Sequence, residues 1–97
     1  MARRLVKDRA GEEDLIGIWV YSFETWGEAQ ADRYLALLED GIGRILHDPL
    51  TGRQRDALRR GFRSVRVERH VVFYTFTDEE VRIRRVLHEV MDPDRHL

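Results

Sequence analysis

The first half of the chain carries apolar residues at the spacing of amphipathic α-helices. Between about Ala10 and Glu24, one stripe follows the i, i+3, i+4, i+7 pattern, and its members are Leu15, Ile18, Trp19, Ser22 and Trp26. A second apolar stripe on the same segment contains Ile16, Val20 and Phe23. A helix that is apolar on two sides is expected to pack on a sheet with one side and on a second helix, or a partner protein, with the other.

Capping signals mark the ends of this helix and of a second one. Asp8 is suited to cap the first helix, and three acids follow in its first turn, where the helix dipole favours negative charge: Glu12, Glu13 and Asp14. The segment from Thr25 to Glu28 matches a capping box that opens the second helix. This helix is expected to end near His47, because Pro49 lacks an amide proton. A link of about three residues between the helices predicts an antiparallel hairpin.

Strand-like patterns follow the hairpin and also precede it. Residues 48–60 read as a loop, and the predicted strands are Arg4–Lys7, Ser64–Val67, Val71–Phe76 and Val81–Leu87. The polar turn 77–80 makes the last two a hairpin. The predicted order is β-α-α-β-β-β in a single α+β domain spanning residues 1–97, with the helical hairpin on a mostly antiparallel sheet. The expected core consists of Leu15, Trp19, Leu35, Leu38, Ile42, Val72, Tyr74, Phe76 and Ile83.

Composition excludes several classes of function. The 97 residues include no cysteine, so disulfides, thiolate catalysis and cysteine metal sites are excluded. No run approaches the roughly 18 apolar residues of a membrane span, so no membrane association is expected. The absence of cysteine suits a reducing compartment, and we expect a cytoplasmic protein.

Charge is concentrated in one segment. Residues 52–70 contain two acids and seven arginines, a net charge of +5 in a chain whose total is −1. The arginines are Arg53, Arg55, Arg59, Arg60, Arg63, Arg66 and Arg69. Such a surface attracts phosphate, nucleic acid or an acidic protein, since the planar guanidinium binds oxyanions in two contacts. The equally weighted alternative is that arginine solvates an exposed sheet face.

Two histidines supply the main candidates for catalysis. His70 and His88, with Arg63 and Arg66, contain the residue types needed for RNA cleavage by the 2′-hydroxyl, namely an acid, a base and cations. The favoured alternative is that both histidines are hydrogen-bonded residues at strand ends. No glycine-rich phosphate loop is present, and Pro93 interrupts the only metal-ligand spacing, that of His88, Asp92 and His96. We therefore expect no metal and no cofactor.

Several motifs together resemble the ParE toxins of the RelE/ParE superfamily. They are DL-x-x-IW-x-Y (14–21), WG-x-x-QA-x-x-Y (26–34), HVVFY (70–74), RVLH (85–88) and MD-x-x-RHL (91–97). The resemblance implies the toxin of a type II toxin–antitoxin pair. Toxins of this kind act on DNA gyrase and are neutralised by ParD, a dimeric ribbon-helix-helix protein whose C-terminal segment wraps around the toxin.

The sister RelE branch of the superfamily cleaves mRNA on the ribosome, and this chain departs from it. Lys7 is the only lysine, whereas RelE uses lysines on its sheet face. His70 stands where nucleases of the superfamily tend to have arginine. Glu89 and Asp92 would place negative charge where an RNA phosphate should bind, which costs transition-state stabilisation. These departures favour a non-enzymatic toxin and leave the RNase, or an inactive toxin-like binding module, as alternatives.

The expected antitoxin site combines the second apolar stripe with the arginine-rich strand. An amphipathic helix bearing acidic residues would fit such a groove. We expect no specific nucleic-acid binding by the toxin alone. The predicted contact residues are Ile16, Val20, Phe23, Arg59, Arg60, Arg63, Arg66 and Arg69.

Overall fold

Two long helices form an antiparallel hairpin in the computed structural model, which describes residues 2–97. Helix α1 spans Arg9–Trp26 and α2 spans Glu28–His47. Gly27 is the only residue between them, and its φ of 92° lies in a region that residues with a Cβ rarely adopt. One glycine in that conformation therefore reverses the chain. The hairpin predicted from the apolar stripes is confirmed, with a shorter link than expected.

The strands form one mixed sheet of five in the order β1-β5-β4-β3-β2. Their bounds are Arg4–Lys7 for β1, Arg53–Gln54 for β2, Arg63–Val67 for β3, His70–Phe76 for β4 and Glu80–His88 for β5. Strand β1 is parallel to β5, and the other three pairings are antiparallel. Short 3-10 turns cover Pro49–Thr51 and Pro93–Arg95. The predicted α+β class and mostly antiparallel sheet are confirmed.

The core lies between the hairpin and one face of the sheet. Its fully buried members include Leu38 and Ile45 from α2 and Val72, Tyr74 and Ile83 from the central strands. Burying large side chains of this kind contributes roughly 1.5–3 kcal/mol each. The Tyr74 hydroxyl donates to the Pro49 carbonyl at 2.6 Å and accepts from the Gly52 amide at 3.0 Å. The tyrosine therefore fixes the segment after α2 to the centre of the sheet.

Most of the predicted core is buried, with exceptions at the edges. Leu15 and Ile42 are buried as expected, whereas Leu35 and Phe76 are half-buried against the core. Trp19 is half-buried and lines the groove between the helices, and its indole Nε1 donates to Asp32 at 2.9 Å. The indole nitrogen needs a polar partner, which the apolar core cannot supply.

The predicted capping box of α2 is wrong, and the predicted N-cap of α1 is confirmed in position only. Thr25 lies inside α1 and Gly27 takes the N-cap position of α2, so no capping box forms. Asp8 occupies the N-cap position of α1 but makes no side-chain capping bond. Its carboxylate instead accepts hydrogen bonds from Arg82 and Arg84 on β5, at 3.0 and 3.1 Å. Charge-assisted bonds of this kind are stronger than a bond to a neutral amide.

A second acid, in the second turn of α1, holds this helix to the sheet. Asp14 accepts two hydrogen bonds from the guanidinium of Arg85, at 2.7 and 2.9 Å, and a third from the Val86 amide at 2.9 Å. Strand β1 pairs with β5 only as far as Ile83, so the Val86 amide has no strand partner on that side. Asp14 thus completes the edge of β5.

Two glycines of α2 provide a test of helix–sheet packing. A Cβ on Gly41 would lie 2.4 Å from a methyl group of Val67, whereas one on Gly43 would meet no atom within 4 Å. Gly41→Ala should lower the free energy of unfolding by about 1–3 kcal/mol through overpacking. Gly43→Ala should raise it by up to about 1 kcal/mol through helix propensity. Urea unfolding of both variants measures this, and equal effects would contradict the close contact of α2 with β3.

Asp14→Ala tests the attachment of α1. Removing the carboxylate leaves the Arg85 guanidinium and the Val86 amide without their acceptor, so unfolding should become easier by about 2–3 kcal/mol. Glu13→Ala is the matched control, because Glu13 pairs only with the exposed Arg9 at 3.2 Å. We expect less than about 0.5 kcal/mol there. Similar losses in both variants, measured by thermal and urea unfolding, would show that Asp14 has no special role.

Candidate functional site

The second apolar stripe of α1 is exposed. Ile16, Val20 and Phe23 expose 63%, 42% and 44% of their surface. Next to the stripe, a shallow groove of about 450 Å³ runs between the two helices, lined by Leu15, Ile16, Trp19, Leu35, Lys7, Glu12 and Glu39. Exposed apolar side chains in a row are typical of a protein–protein contact surface. The structure therefore leaves all three predicted stripe residues accessible to a partner.

The arginines predicted to contact the antitoxin fall into two groups, one exposed and unpaired among residues 2–97 and the other bonded within the fold. Arg59 and Arg60 are exposed in the loop before β3, and Arg69 is exposed in the turn before β4. Among residues 2–97, these three guanidinium groups make neither an ion pair nor a side-chain hydrogen bond. They remain available to an external oxyanion.

Arg63 and Arg66 do not share a face of the sheet. Residues three apart on a strand point to opposite sides, and their partners differ accordingly. Arg63 is half-buried and donates to the Gly52 carbonyl at 2.8 Å. Arg66 is paired with Glu89 at 3.0 Å. The arginine-rich segment therefore does not form one continuous cationic face.

The two candidate histidines lie side by side. His70 and His88 are directly opposite on β4 and β5, with ring centroids 5.1 Å apart and planes at 80°. The Tyr34 hydroxyl is 2.7 Å from Nδ1 of His70 and accepts from the Arg69 amide at 3.1 Å. We assign the hydroxyl proton of Tyr34 to Nδ1 of His70, and with this assignment Nε2 of His70 is protonated.

His70 is neutral at physiological pH. Burial, followed by repulsion from His88, lowers its pKa from 6.5 to about 4, against the opposing effects of Asp14 and Glu89. A general base for the 2′-hydroxyl works best with a pKa near the working pH. His70 is far from that range, and its Nδ1 is already bonded to Tyr34.

The RNase hypothesis also needs cations beside the histidines. The register pairs Val67 with His70 and Arg63 with Tyr74, so Arg63 lies four residues, roughly 13 Å, further along the sheet. Arg66 is occupied by Glu89, the residue after His88. The structure thus brings His70 and His88 together but does not bring Arg63 to them. Within the described part of the chain, no group of three or more histidines and acids is arranged to hold a metal ion.

A cavity of about 620 Å³ opens beside the imidazoles, and we call it the histidine cavity. It lies between α1, the start of α2 and the ends of β4 and β5. Its lining residues are Glu13, Asp14, Gly17, Ile18, Tyr21, Ser22, Trp26, Gln30, Tyr34, Arg69, His70, Val86, Leu87, His88 and Met91. Sequence reasoning missed this cavity, because nothing in the local pattern links Tyr34 to His70 across 36 positions.

Asp8 and Asp14 both form ion pairs with arginines of β5. Partial burial acts to raise the pKa of Asp8, but the hydrogen bonds and charges of Arg82 and Arg84 outweigh it, so that pKa lies below its usual value. The hydrogen bonds that Arg85 donates to Asp14, opposed by burial, raise the pKa of Arg85. Both acids are thus held by arginines of β5.

His70 should make the fold sensitive to mild acid. In the unfolded chain it takes up a proton near pH 6.5, whereas in the folded chain it does so only near pH 4. The unfolded state therefore binds more protons between these values, and stability falls as the pH drops from 6.5 to 4. After discounting for solvent that reaches the half-buried ring, the expected loss is about 1–2 kcal/mol.

Urea unfolding at several pH values, with His70→Phe for comparison, measures this loss. The variant should show a correspondingly flatter dependence between pH 6.5 and 4. NMR titration of the His70 ring gives the direct reading. A midpoint near 6.5 would contradict the buried, neutral imidazole.

Comparisons with known proteins agree with the fold and identify the family. The model of the ParE toxin of the type II toxin–antitoxin system parDE matches residues 6–93. The chain is 37% identical to Toxin ParE1 of Mycobacterium tuberculosis over 98 aligned positions that cover both chains completely. It is 39% identical to Toxin ParE1 of Caulobacter vibrioides over 92% of each.

A solved structure shares the architecture. A chain from the chromosomal ParDE TA system of P. aeruginosa superposes with a TM-score of 0.78 at 17% identity, covering 90% of this chain and 96% of that one. At this identity the structural similarity supports the fold alone. Membership of the family is supported by the family model and by the relatives named above. The chain belongs to the family of ParE toxins of type II toxin–antitoxin systems.

Proposed function

We propose that this toxin inhibits DNA gyrase by protein–protein binding and is neutralised by a ParD-type ribbon-helix-helix antitoxin. The observation that carries the proposal is the likeness to proteins named ParE toxins along the whole chain, which accompanies the motifs of both its helical and its strand half. The toxin acts without catalysis and without a cofactor. Because gyrase works on chromosomal DNA, the proposed place of action is the cytoplasm.

The arrangement of the polar groups supports binding over catalysis. Cleavage of RNA needs an acid, a base and a cation around one phosphate. Here His70 is neutral and bonded to Tyr34, and Arg63 is bonded to a backbone carbonyl. Arg66 already has Glu89 as its partner. Nδ1 of His70, Arg63 and Arg66 are thus engaged within the fold.

Two surfaces remain for protein partners. The exposed apolar stripe offers Ile16, Val20 and Phe23, and the unpaired arginines offer Arg59, Arg60 and Arg69. Apolar contacts supply most of the affinity of such interfaces, and charges steer and orient the partner. Of the eight residues first predicted as contacts, Arg63 and Arg66 are the two engaged within the fold. No helix among residues 2–97 has the length and apolar character to cross a bilayer.

A supercoiling assay tests the proposal. Toxin purified with its antitoxin and then separated from it should inhibit supercoiling of relaxed plasmid by gyrase at micromolar concentration and increase gyrase-linked DNA cleavage. Adding the antitoxin back should restore supercoiling. Unaffected gyrase at these concentrations would overturn the gyrase proposal.

A parallel assay separates the two modes of action. The same toxin, added to a coupled translation system, should leave mRNA intact, because no acid–base pair is poised at a phosphate. Cleavage of ribosome-bound mRNA would instead establish the RNase alternative. Normal growth of cells expressing the toxin without antitoxin would identify an inactive binding module.

A further inference from the structure

The histidine cavity has apolar walls and an aromatic rim. Ile18, Val86 and Met91 form part of its wall. Tyr21 and Trp26 stand at the rim, expose 64% and 63% of their surface, and meet edge to face at 6.0 Å. Its volume of about 620 Å³ is within the range of sites that enclose a ligand or several large side chains. An apolar group that enters the cavity would lose contact with water over most of its surface.

The unused polar groups of the cavity are hydrogen-bond donors. Nδ1 of His70 is bonded to Tyr34, and Nδ1 of His88 accepts from the Val90 amide at 3.2 Å. With Nδ1 accepting in both rings, Nε2 is the donor of each ring, and among residues 2–97 neither Nε2 has a partner. The unpaired guanidinium of Arg69 lies in the same lining. Hydrogen-bond donors that lack acceptors favour the binding of an oxyanion.

The acids of the lining do not oppose an anion strongly. Asp14 is neutralised by Arg85 through two hydrogen bonds, and Glu13 is paired with Arg9 at 3.2 Å. The groove on the other side of α1 differs, because it contains Glu12 and Glu39 with only Lys7 as a cation. Residues 9–47, which form the hairpin, contain eight acids and three arginines. An acidic segment is therefore repelled by the helical groove and accepted by the histidine cavity.

We infer that the histidine cavity is the docking site for an acidic, extended segment of the antitoxin. A large apolar side chain of that segment fills the cavity, and a carboxylate one or two residues away accepts from the His70 and His88 Nε2 groups and from Arg69. The inference rests on the proposed function for the existence of the antitoxin. It assigns the acidic segment to the side of α1 opposite the Ile16–Val20–Phe23 stripe.

Gly17 allows the cavity to be closed without damage to the fold. It lines the cavity, and a Cβ built on it meets no atom within 4 Å. Gly17→Leu therefore places a side chain in open space while replacing a poor helix former by a good one. The matched control is Gly43→Leu, which makes the same change at an equally open position on α2, outside this cavity. Both variants should unfold at the same or higher urea concentration than wild type.

Binding of the full-length antitoxin to each variant is then measured by titration calorimetry. Gly17→Leu should weaken binding by about tenfold or more, because the leucine excludes the apolar anchor of the antitoxin from the cavity. Gly43→Leu should bind as wild type does. Arg69→Glu should also weaken binding by about tenfold through repulsion of the carboxylate. Arg53→Glu, an equally exposed arginine on β2, is its control and should have little effect.

The outcomes separate this inference from the proposal beneath it. If wild-type toxin binds the antitoxin and Gly17→Leu binds equally well, the cavity is not the docking site, although the antitoxin proposal stands. If wild-type toxin does not bind the antitoxin, the antitoxin proposal and the inference both fail. If sedimentation shows a toxin dimer that Gly17→Leu abolishes, a second copy occupies the cavity and the inference is overturned.

Discussion

The attachment of α1 to β5 through Asp14 is the contact on which the arrangement of the site depends. β1 is only four residues long and leaves β5 without a neighbour beyond Ile83. A partly buried amide such as that of Val86 must find an acceptor, and Asp14 supplies it while also binding Arg85. One turn later α1 carries Gly17, which fills no space. Because Asp14 fixes α1 to β5 and Gly17 has no side chain, the histidine cavity stays open.

Much of the fold could be predicted from the sequence because its elements have strong local patterns. The stripes of α1 and α2 repeat for four turns or more, and β4 is a continuous apolar run, so each was recognised within one or two residues. β2 has only two residues, too few to show alternation, and was missed. Acids before and within the first turn of a helix give the same signal whether they cap it or bind a distant arginine. The arginine partners of Asp8, which does lie at the predicted N-cap position, and of Asp14 therefore could not be predicted.

The candidate site was predictable only in part, since it depends on contacts between distant positions. Asp14 and Arg85 are 71 positions apart, and Tyr34 and His70 are 36 apart. The exposed stripe of Ile16, Val20 and Phe23 could be found because it lies on one helix. The neutral state of His70 and the separation of Arg63 from Arg66 required the sheet register and the packed hairpin. The net charge of residues 52–70 also overstated the cationic surface, because Arg63 and Arg66 are bonded to other groups of the fold.

The neutral imidazole of His70 gives the histidine cavity a property that suits recognition better than catalysis. A carboxylate that meets a buried cation requires two charges to lose water, and the desolvation cost can cancel the attraction. The neutral His70 N–H donates to the same oxygens without a second buried charge, and Arg69, the unpaired cation of the lining, is exposed to solvent. The apolar walls then supply affinity, and the donors select the segment that carries an acid at the right distance. Lowering the pKa of His70 to about 4 keeps this donor neutral over the physiological range. The burial that makes His70 a poor base therefore makes it a dependable donor.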